Sequence, residues 1–387
     1  MDENELKGLM LTVEVPPSGA DVQQAMVTGR RRNRGRALSA AGAGVAVVAA
    51  VGTFVAIEPM RAGPHDTAGP PGTVVTPHAN GRCVPTLLET PGGATGRITA
   101  LDPGGTMAGG QLNGNPSTAI LWKDGKVVDL PAAATGTIAD VVGDTVVGYS
   151  TNQGGESTGW VWRDGKVTTL AKVEGYPGTH PHAVNGKGVI AGWVQGTAPD
   201  DKIAVTWSPD GTVHPLRRPS TWRPDDHSSA ARDIADDGTI VGEAAGYPML
   251  WWPDGTPEGL GAAWGNEDTR GVAWAIAGRY VYGVADGFET RWVLNERSLF
   301  STATLPDAGD LGARAGTADG TALLAGDGLQ KPAGRIGLDD KGPVPIDELL
   351  GPNGEMAMAI AISADGNTIG GTVLGGDRGR PAIWRCH

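Results

Sequence analysis

Runs long enough and free enough of glycine to build ordinary helices are scarce in this sequence. Its 387 residues are interrupted by 62 Gly and 28 Pro, which excludes a helical bundle and suits an all-β chain with many tight turns. Charge is thin, at 19% of residues, and the net charge is −12. An acidic chain of this kind excludes nucleic acid as the main partner. Phe and Tyr are sparse, at 3 and 5 copies, whereas Trp appears 12 times, so tryptophan carries most of the aromatic packing. Cysteine occurs only twice, at Cys83 and Cys386. No nucleophile elbow, zinc-protease motif, Walker loop or dinucleotide fingerprint stands in the strand-to-helix context it requires. No catalytic residue, cofactor site or metal site is therefore assigned.

One long apolar run is present. Residues 37–57, ALSAAGAGVAVVAAVGTFVAI, carry no charge. At 1.5 Å per residue a helix of this run would span about 30 Å, the thickness of a bilayer core. RRRNRGR at 30–36 precedes it, and by the positive-inside rule the N-terminus faces the cytoplasm. We expect one transmembrane helix at 37–57 acting as an uncleaved signal anchor, after a cytoplasmic tail at 1–36. A cleaved signal peptide and a buried helix are the alternatives. Residues 58–80, rich in Pro, Gly and Thr, read as a flexible stalk. This arrangement puts the rest of the chain outside a bacterial cytoplasmic membrane, with the membrane as a single-pass partner.

From about residue 97 onward a cassette recurs seven times. Its second half reads AILWKDGKVVDL at 119–130, GWVWRDGKVTTL at 159–170, AVTWSPDGTVHPL at 204–216 and MLWWPDGTPEGL at 249–260. Degenerate copies surround Trp292 and Leu338, and PAIWRCH at 381–387 ends the chain. The anchors Trp122, Trp162, Trp207, Trp252, Trp292, Leu338 and Trp384 thus recur about every 40–45 residues, which is the period of a β-propeller. First halves such as ITALDPGGTMAGG (98–110), ARDIADDGTIVGE (231–243) and AIAISADGNTIGG (359–371) supply a second landmark. It is a closing glycine at Gly109, Gly148, Gly192, Gly242, Gly283, Gly326 and Gly370. Each unit reads as four short strands, with Asp-Gly pairs making tight hairpin turns. The prediction is an all-β, seven-bladed β-propeller over 81–387, preceded by the transmembrane helix.

These cassettes resemble the HAF-type extracellular repeats, whose units run from alternating apolar residues through D-G and I-V-G to an aliphatic-Trp-x-x-Gly segment and a terminal Leu. The resemblance covers residues 97–387. It implies a propeller that is secreted or surface-anchored, and it implies little chemistry.

The seventh unit stops at Trp384 without a fourth strand, and GRCVPTLLETP at 81–91 is a spare piece of the right kind. Pairing of strand 83–90 with blade seven would close the ring and bring Cys83 beside Cys386, where an oxidising compartment would join them. The Asp-Gly aspartates lack the spacing of a calcium loop, and His180 and His182 lack a third ligand nearby. Trp222 and Trp264 lie outside the cassette. Together with Tyr176, His182, Asp226 and Glu267 they fall in the segments expected to connect blades. These six residues form the candidate binding face, suited to an envelope glycan or protein. The expected function is a binding or interaction module. A polysaccharide hydrolase or lyase, or a signalling receptor using the cytoplasmic tail, is the alternative.

Overall fold

The computed structural model describes residues 83–387 apart from 115, 199, 220–227, 262–268, 296–297, 305–312, 327–332, 340–341 and 376–377. The strands among the described residues form seven four-stranded antiparallel sheets. Six of them are simple meanders of consecutive strands. The first strand of every sheet touches the first strands of both neighbouring sheets, so these seven inner strands surround a common axis. The chain is a seven-bladed β-propeller. The inner strands are Gly96–Leu101, Thr137–Val142, Gly178–Val184, Ser229–Ile234, Gly271–Ala277, Ala313–Gly316 and Ala357–Ile362, for blades one to seven.

Turn chemistry explains the meanders. Asp124–Gly125, Asp164–Gly165 and Asp286–Gly287 have positive φ at both residues, as a two-residue hairpin turn of type I′ requires. In other turns the aspartate acts through its carboxylate. Asp210 Oδ1 accepts from the Thr212 N–H at 2.9 Å, Asp254 Oδ1 from Thr256 at 2.9 Å and Asp365 Oδ1 from Asn367 at 3.0 Å. These aspartates build turns.

The core lies between blades. Trp122, Trp207, Trp251, Trp292 and Trp384 are among the largest fully buried side chains. Each indole N–H donates to a backbone carbonyl just past the preceding blade's last strand: Glu89, Ala171, Arg217, Gly261 and Leu350, at 2.7–2.8 Å. A buried indole needs such a partner for its polar edge, and the bond also pins each junction. Three anchors differ from the sequence expectation. In blade four Trp251 makes the junction bond, while Trp252 follows the strand, is buried in the neighbouring core cluster and donates to Glu258. In blade two the bond to the junction, at Thr135 O, comes from the buried Trp160, and Trp162 is half-buried. In blade six Ile336 stands at the anchor register in place of Leu338.

The glycine landmark also has a physical cause. Every inner strand carries a register shift at the same place, a β-bulge that bends the strand. The carbonyl just before the bulge leans over the second strand, and a glycine lies beneath it in six blades. A Cβ on Gly110 would stand 2.4 Å from the Arg97 carbonyl oxygen, and one on Gly242 would stand 2.0 Å from that of Ala230. By register these glycines are Gly110, Gly148, Gly192, Gly242, Gly283 and Gly371. Gly109 and Gly370 are each one residue early. Blade six has Leu324 there, and Gly326 falls beyond it.

Blade seven recruits its outer strand from the other end of the repeat region. Cys83–Leu87 pairs antiparallel with Arg378–Cys386, so that Cys83 faces Cys386 and Leu87 faces Ala382. Cys83 and Cys386 form a disulfide. The tail at 1–36, the run at 37–57 and the stalk at 58–80 lie outside the described residues. Among the described residues no helix is long and apolar enough to cross a membrane.

Candidate functional site

The bulges determine what the axis sees. An extra residue in one strand re-aims its side chain, and the residues skipped by the ladder are Thr99, Ala139, His182, Arg232, Trp274, Arg314 and Ile360. All seven are half-buried, as expected of side chains lining a narrow channel. Blades three to six contribute the large polar and aromatic members. Blades seven, one and two contribute Ile360, Thr99 and Ala139.

The large members form a continuous stack around one side of the axis. The His180 ring lies 4.9 Å from that of Trp193 and nearly parallel to it, with Tyr149 tilted against its other side. The Arg232 guanidinium sits 4.7 Å from the Trp193 ring and 4.8 Å from the Trp274 ring. Arg314 covers Trp274 at 4.3 Å. Each step crosses one blade boundary or one strand pair, so Tyr149, His180, Trp193, Arg232, Trp274 and Arg314 link blades two to six. Cation–π contacts of this kind contribute about 0.5–2 kcal/mol each, more when desolvated. Glu243, on the second strand of blade four, forms an ion pair with Arg232. The Trp193 Nε1 and the Arg232 Nε are buried and meet no acceptor among the described residues.

Arg232 and Arg314 bring two guanidinium groups to this stack, and Glu243 offsets the first of them. Burial lowers the His180 imidazole to about 4, helped by Lys202 and Arg232. Burial lowers His182 to about 3, with Arg232 adding to it. Both rings are neutral at pH 7, which suits stacking. Burial and then Arg232 also lower Arg314. Two carboxylates stand one residue beyond the bulge, in blades two and four. Burial raises Asp140 to about 7 and Asp233 to about 6, and the nearby Asp233 charge adds to the Asp140 shift. Each clips its blade to the next. Asp140 accepts from Val141 and Val184 N–H groups, and Asp233 from Ile234 and Ile276, all at 2.8 Å.

Of the candidate binding face, Trp222, Asp226, Trp264 and Glu267 lie outside the described residues. His182 belongs to the inner strand of blade three and not to a connection, and His180 lies in that same strand. Pro181 made this stretch look like a loop. An inner strand has a ladder on one side only, so a proline is tolerated there. Tyr176 does sit in the connection before blade three, where Val173 and Tyr176 form an isolated bridge. Its ring packs against the Val147, Leu170 and Val205 core. Burial and then Asp201 raise its hydroxyl pKa. The structure therefore brings His182 to the stack and leaves Tyr176 apart from it. Sequence reasoning missed Trp193, Arg232, Trp274 and Arg314. Their signal was positional: Trp193 directly follows a blade glycine, and the other three share one place in successive repeats.

No protein-family model matches this sequence, and no curated protein matches it. Similarity appears at the level of fold. The chain is similar to virginiamycin B lyase from Staphylococcus aureus at 12% identity and TM-score 0.49, covering 79% of this chain and 99% of that one. It is also similar to the extracellular domain of a protein assigned as a one-component system of B. thetaiotaomicron. That match has 11% identity and TM-score 0.46, and covers 77% of this chain and 39% of that one. Both likenesses concern the propeller fold alone.

Proposed function

We propose that this chain is an extracytoplasmic binding module, anchored by residues 37–57, that engages an envelope glycan or protein through the channel wall. The observation that carries this reading is the stack from His180 to Arg314. It concentrates planar aromatic and guanidinium groups on the inner strands of blades three to six and on the second strand of blade three, where stability alone asks only for apolar packing. The Cys83–Cys386 disulfide supports a location outside the cytoplasm, since such bonds persist in oxidising compartments. The uncharged run behind five arginines supports the anchor, and the HAF-type pattern of the cassettes agrees with both. The test is retention of the full chain on purified envelope polysaccharide and on envelope protein, with wild type beside Trp274→Leu. Loss of retention in a variant that melts within about 3 °C of wild type is expected. Equal retention would remove the channel wall from the account.

One observation favours a hydrolase or lyase as a second reading. Burial raises Asp140 to about 7 and Asp233 to about 6, and carboxyl groups that titrate near neutrality are found at catalytic sites. Both oxygens of each carboxylate already accept backbone N–H bonds, so we place binding first. Polysaccharide cleavage that Asp140→Asn abolishes would reverse that order.

A further inference from the structure

Asn-Gly pairs stand at Asn113–Gly114, Asn185–Gly186 and Asn353–Gly354 among the described residues. Such a pair can react with itself. Because glycine has no side chain, its backbone nitrogen can approach the amide carbon Cγ of the preceding asparagine. The reaction requires that nitrogen to give up its proton and the asparagine side chain to swing over its own backbone. Hydrogen bonds that hold either group oppose it.

The structure holds the pairs differently. Asn185 is buried and its side chain is bonded at both ends. Its Oδ1 accepts from the Lys187 and Val189 N–H groups, and its Nδ2 donates to the Ala235 carbonyl at 3.1 Å. The Gly186 N–H is occupied by Asp236 Oδ1 of the next blade at 2.7 Å. Asn353 is exposed, but Glu355 accepts from both its backbone N–H and its Nδ2, and the Gly354 N–H donates to the Gly351 carbonyl at 3.0 Å. Asn113 and Gly114 are both exposed, and they open the connection from Met107–Leu112 to Thr118–Lys123 in blade one. The Asn113 side chain is held by one solvent-exposed bond, from Nδ2 to Thr95 Oγ1 at 3.0 Å. The Gly114 N–H meets no acceptor among the described residues.

We infer that Asn113 is a site of spontaneous deamidation, and that the bonds around Asn185 and Asn353 protect those two pairs from the same reaction. The Gly114 nitrogen attacks Asn113 Cγ and a new C–N bond forms. The Cγ–Nδ2 bond breaks, and ammonia leaves with the proton that the Gly114 nitrogen gives up. A five-membered succinimide ring remains. Water then opens the ring at either carbonyl, which yields aspartate or isoaspartate. Both products put a negative charge beside Thr95. Isoaspartate also routes the backbone through the former side chain, which adds one methylene to the link between the second and third strands of blade one.

The experiment is incubation of the folded full chain at mildly alkaline pH in water enriched in heavy oxygen, with peptide mapping by mass spectrometry at intervals. A urea-unfolded sample and the Gly114→Ala variant run in parallel, and thermal melting checks that the variant is folded. In urea the three pairs should convert at similar rates. In the folded chain Asn113 should stay close to its unfolded rate, with heavy oxygen in both the aspartate and the isoaspartate product. Asn185 and Asn353 should slow by about tenfold or more, because each must first break two or more hydrogen bonds. Gly114→Ala should slow Asn113 alone. Conversion of Asn113 in the folded chain as slow as that of Asn185 would overturn the site. Conversion of Asn185 or Asn353 as fast as Asn113 would overturn the protection assigned to their bonds, and an unchanged rate in folded Gly114→Ala would overturn the attack by the Gly114 nitrogen.

Discussion

Removing the covalent closure with Cys83→Ser/Cys386→Ser tests how the ring is held. The bond links residues 303 apart, and the chain-entropy model gives about 5–6 kcal/mol for a loop of that length. A domain of this size has an unfolding entropy near 0.6 kcal/mol/K, so the expected loss is about 8–10 °C in Tm. The closure is not purely covalent. Cys83–Leu87 remains laddered to Arg378–Cys386, and Leu88 N–H still donates to the Pro381 carbonyl at 2.9 Å. The variant should therefore keep the wild-type far-ultraviolet spectrum and unfold in one transition at the lower temperature. Reduced wild type should melt with it. Scanning calorimetry at matched concentration decides the matter. A variant within about 2 °C of oxidised wild type would refute the unfolded-state argument, and a variant that fails to fold would show that the ladder does not hold blade seven without the bond.

Three further outcomes follow from the packing and the buried charges. Trp160→Phe should cost about 2–3 kcal/mol by chemical denaturation, because a buried indole and its bond to Thr135 are lost; Trp162→Phe should cost under about 1 kcal/mol. The reverse order would restore Trp162 as the anchor. Gly242→Ala should destabilise by more than about 2 kcal/mol because its Cβ meets the Ala230 carbonyl, while Gly259→Ala, with nothing within 4 Å, should stay within about 0.5 kcal/mol. Asp140→Asn should change the pH dependence of stability. Folding raises Asp140 from 3.8 to about 7, so its contribution is fully present below about pH 4 and is lost as pH rises to 7. The variant should gain on wild type progressively across that window, by about 2–4 kcal/mol in total, and a difference constant from pH 4 to 8 would contradict the assignment. His180 and His182 act in the opposite sense, since their lowered pKa values remove stability as pH falls below 6.5.

The blade count was legible because one residue type, tryptophan, must recur wherever a meander packs on its neighbour, and Trp122, Trp207, Trp292 and Trp384 do so at the expected register. Residue-level register was less legible. Trp160 and Trp162 are two apart and share a face of the strand, so their spacing cannot say which enters the core. Gly109 and Gly110 are adjacent, and only the bulged carbonyl of Arg97 distinguishes them. That bulge arises where seven inner strands crowd one axis, which no single repeat encodes. The stack was hidden for the same reason. Arg232, Trp274 and Arg314 each look ordinary within a cassette, and they meet only because successive blades place the same position side by side. Pro181 drew the histidines into a supposed loop, when the one-sided ladder of an inner strand accommodates it.

The most direct measurement is amide hydrogen exchange on the full chain, with and without a saturating envelope ligand. If the channel wall is the binding surface, added protection should concentrate in Gly178–Val184, Ser229–Ile234, Gly271–Ala277 and Ala313–Gly316, the inner strands that carry the stack. Protection confined to outer strands such as Lys126–Val128 and Lys166–Thr169, with the inner strands unchanged, would contradict the account.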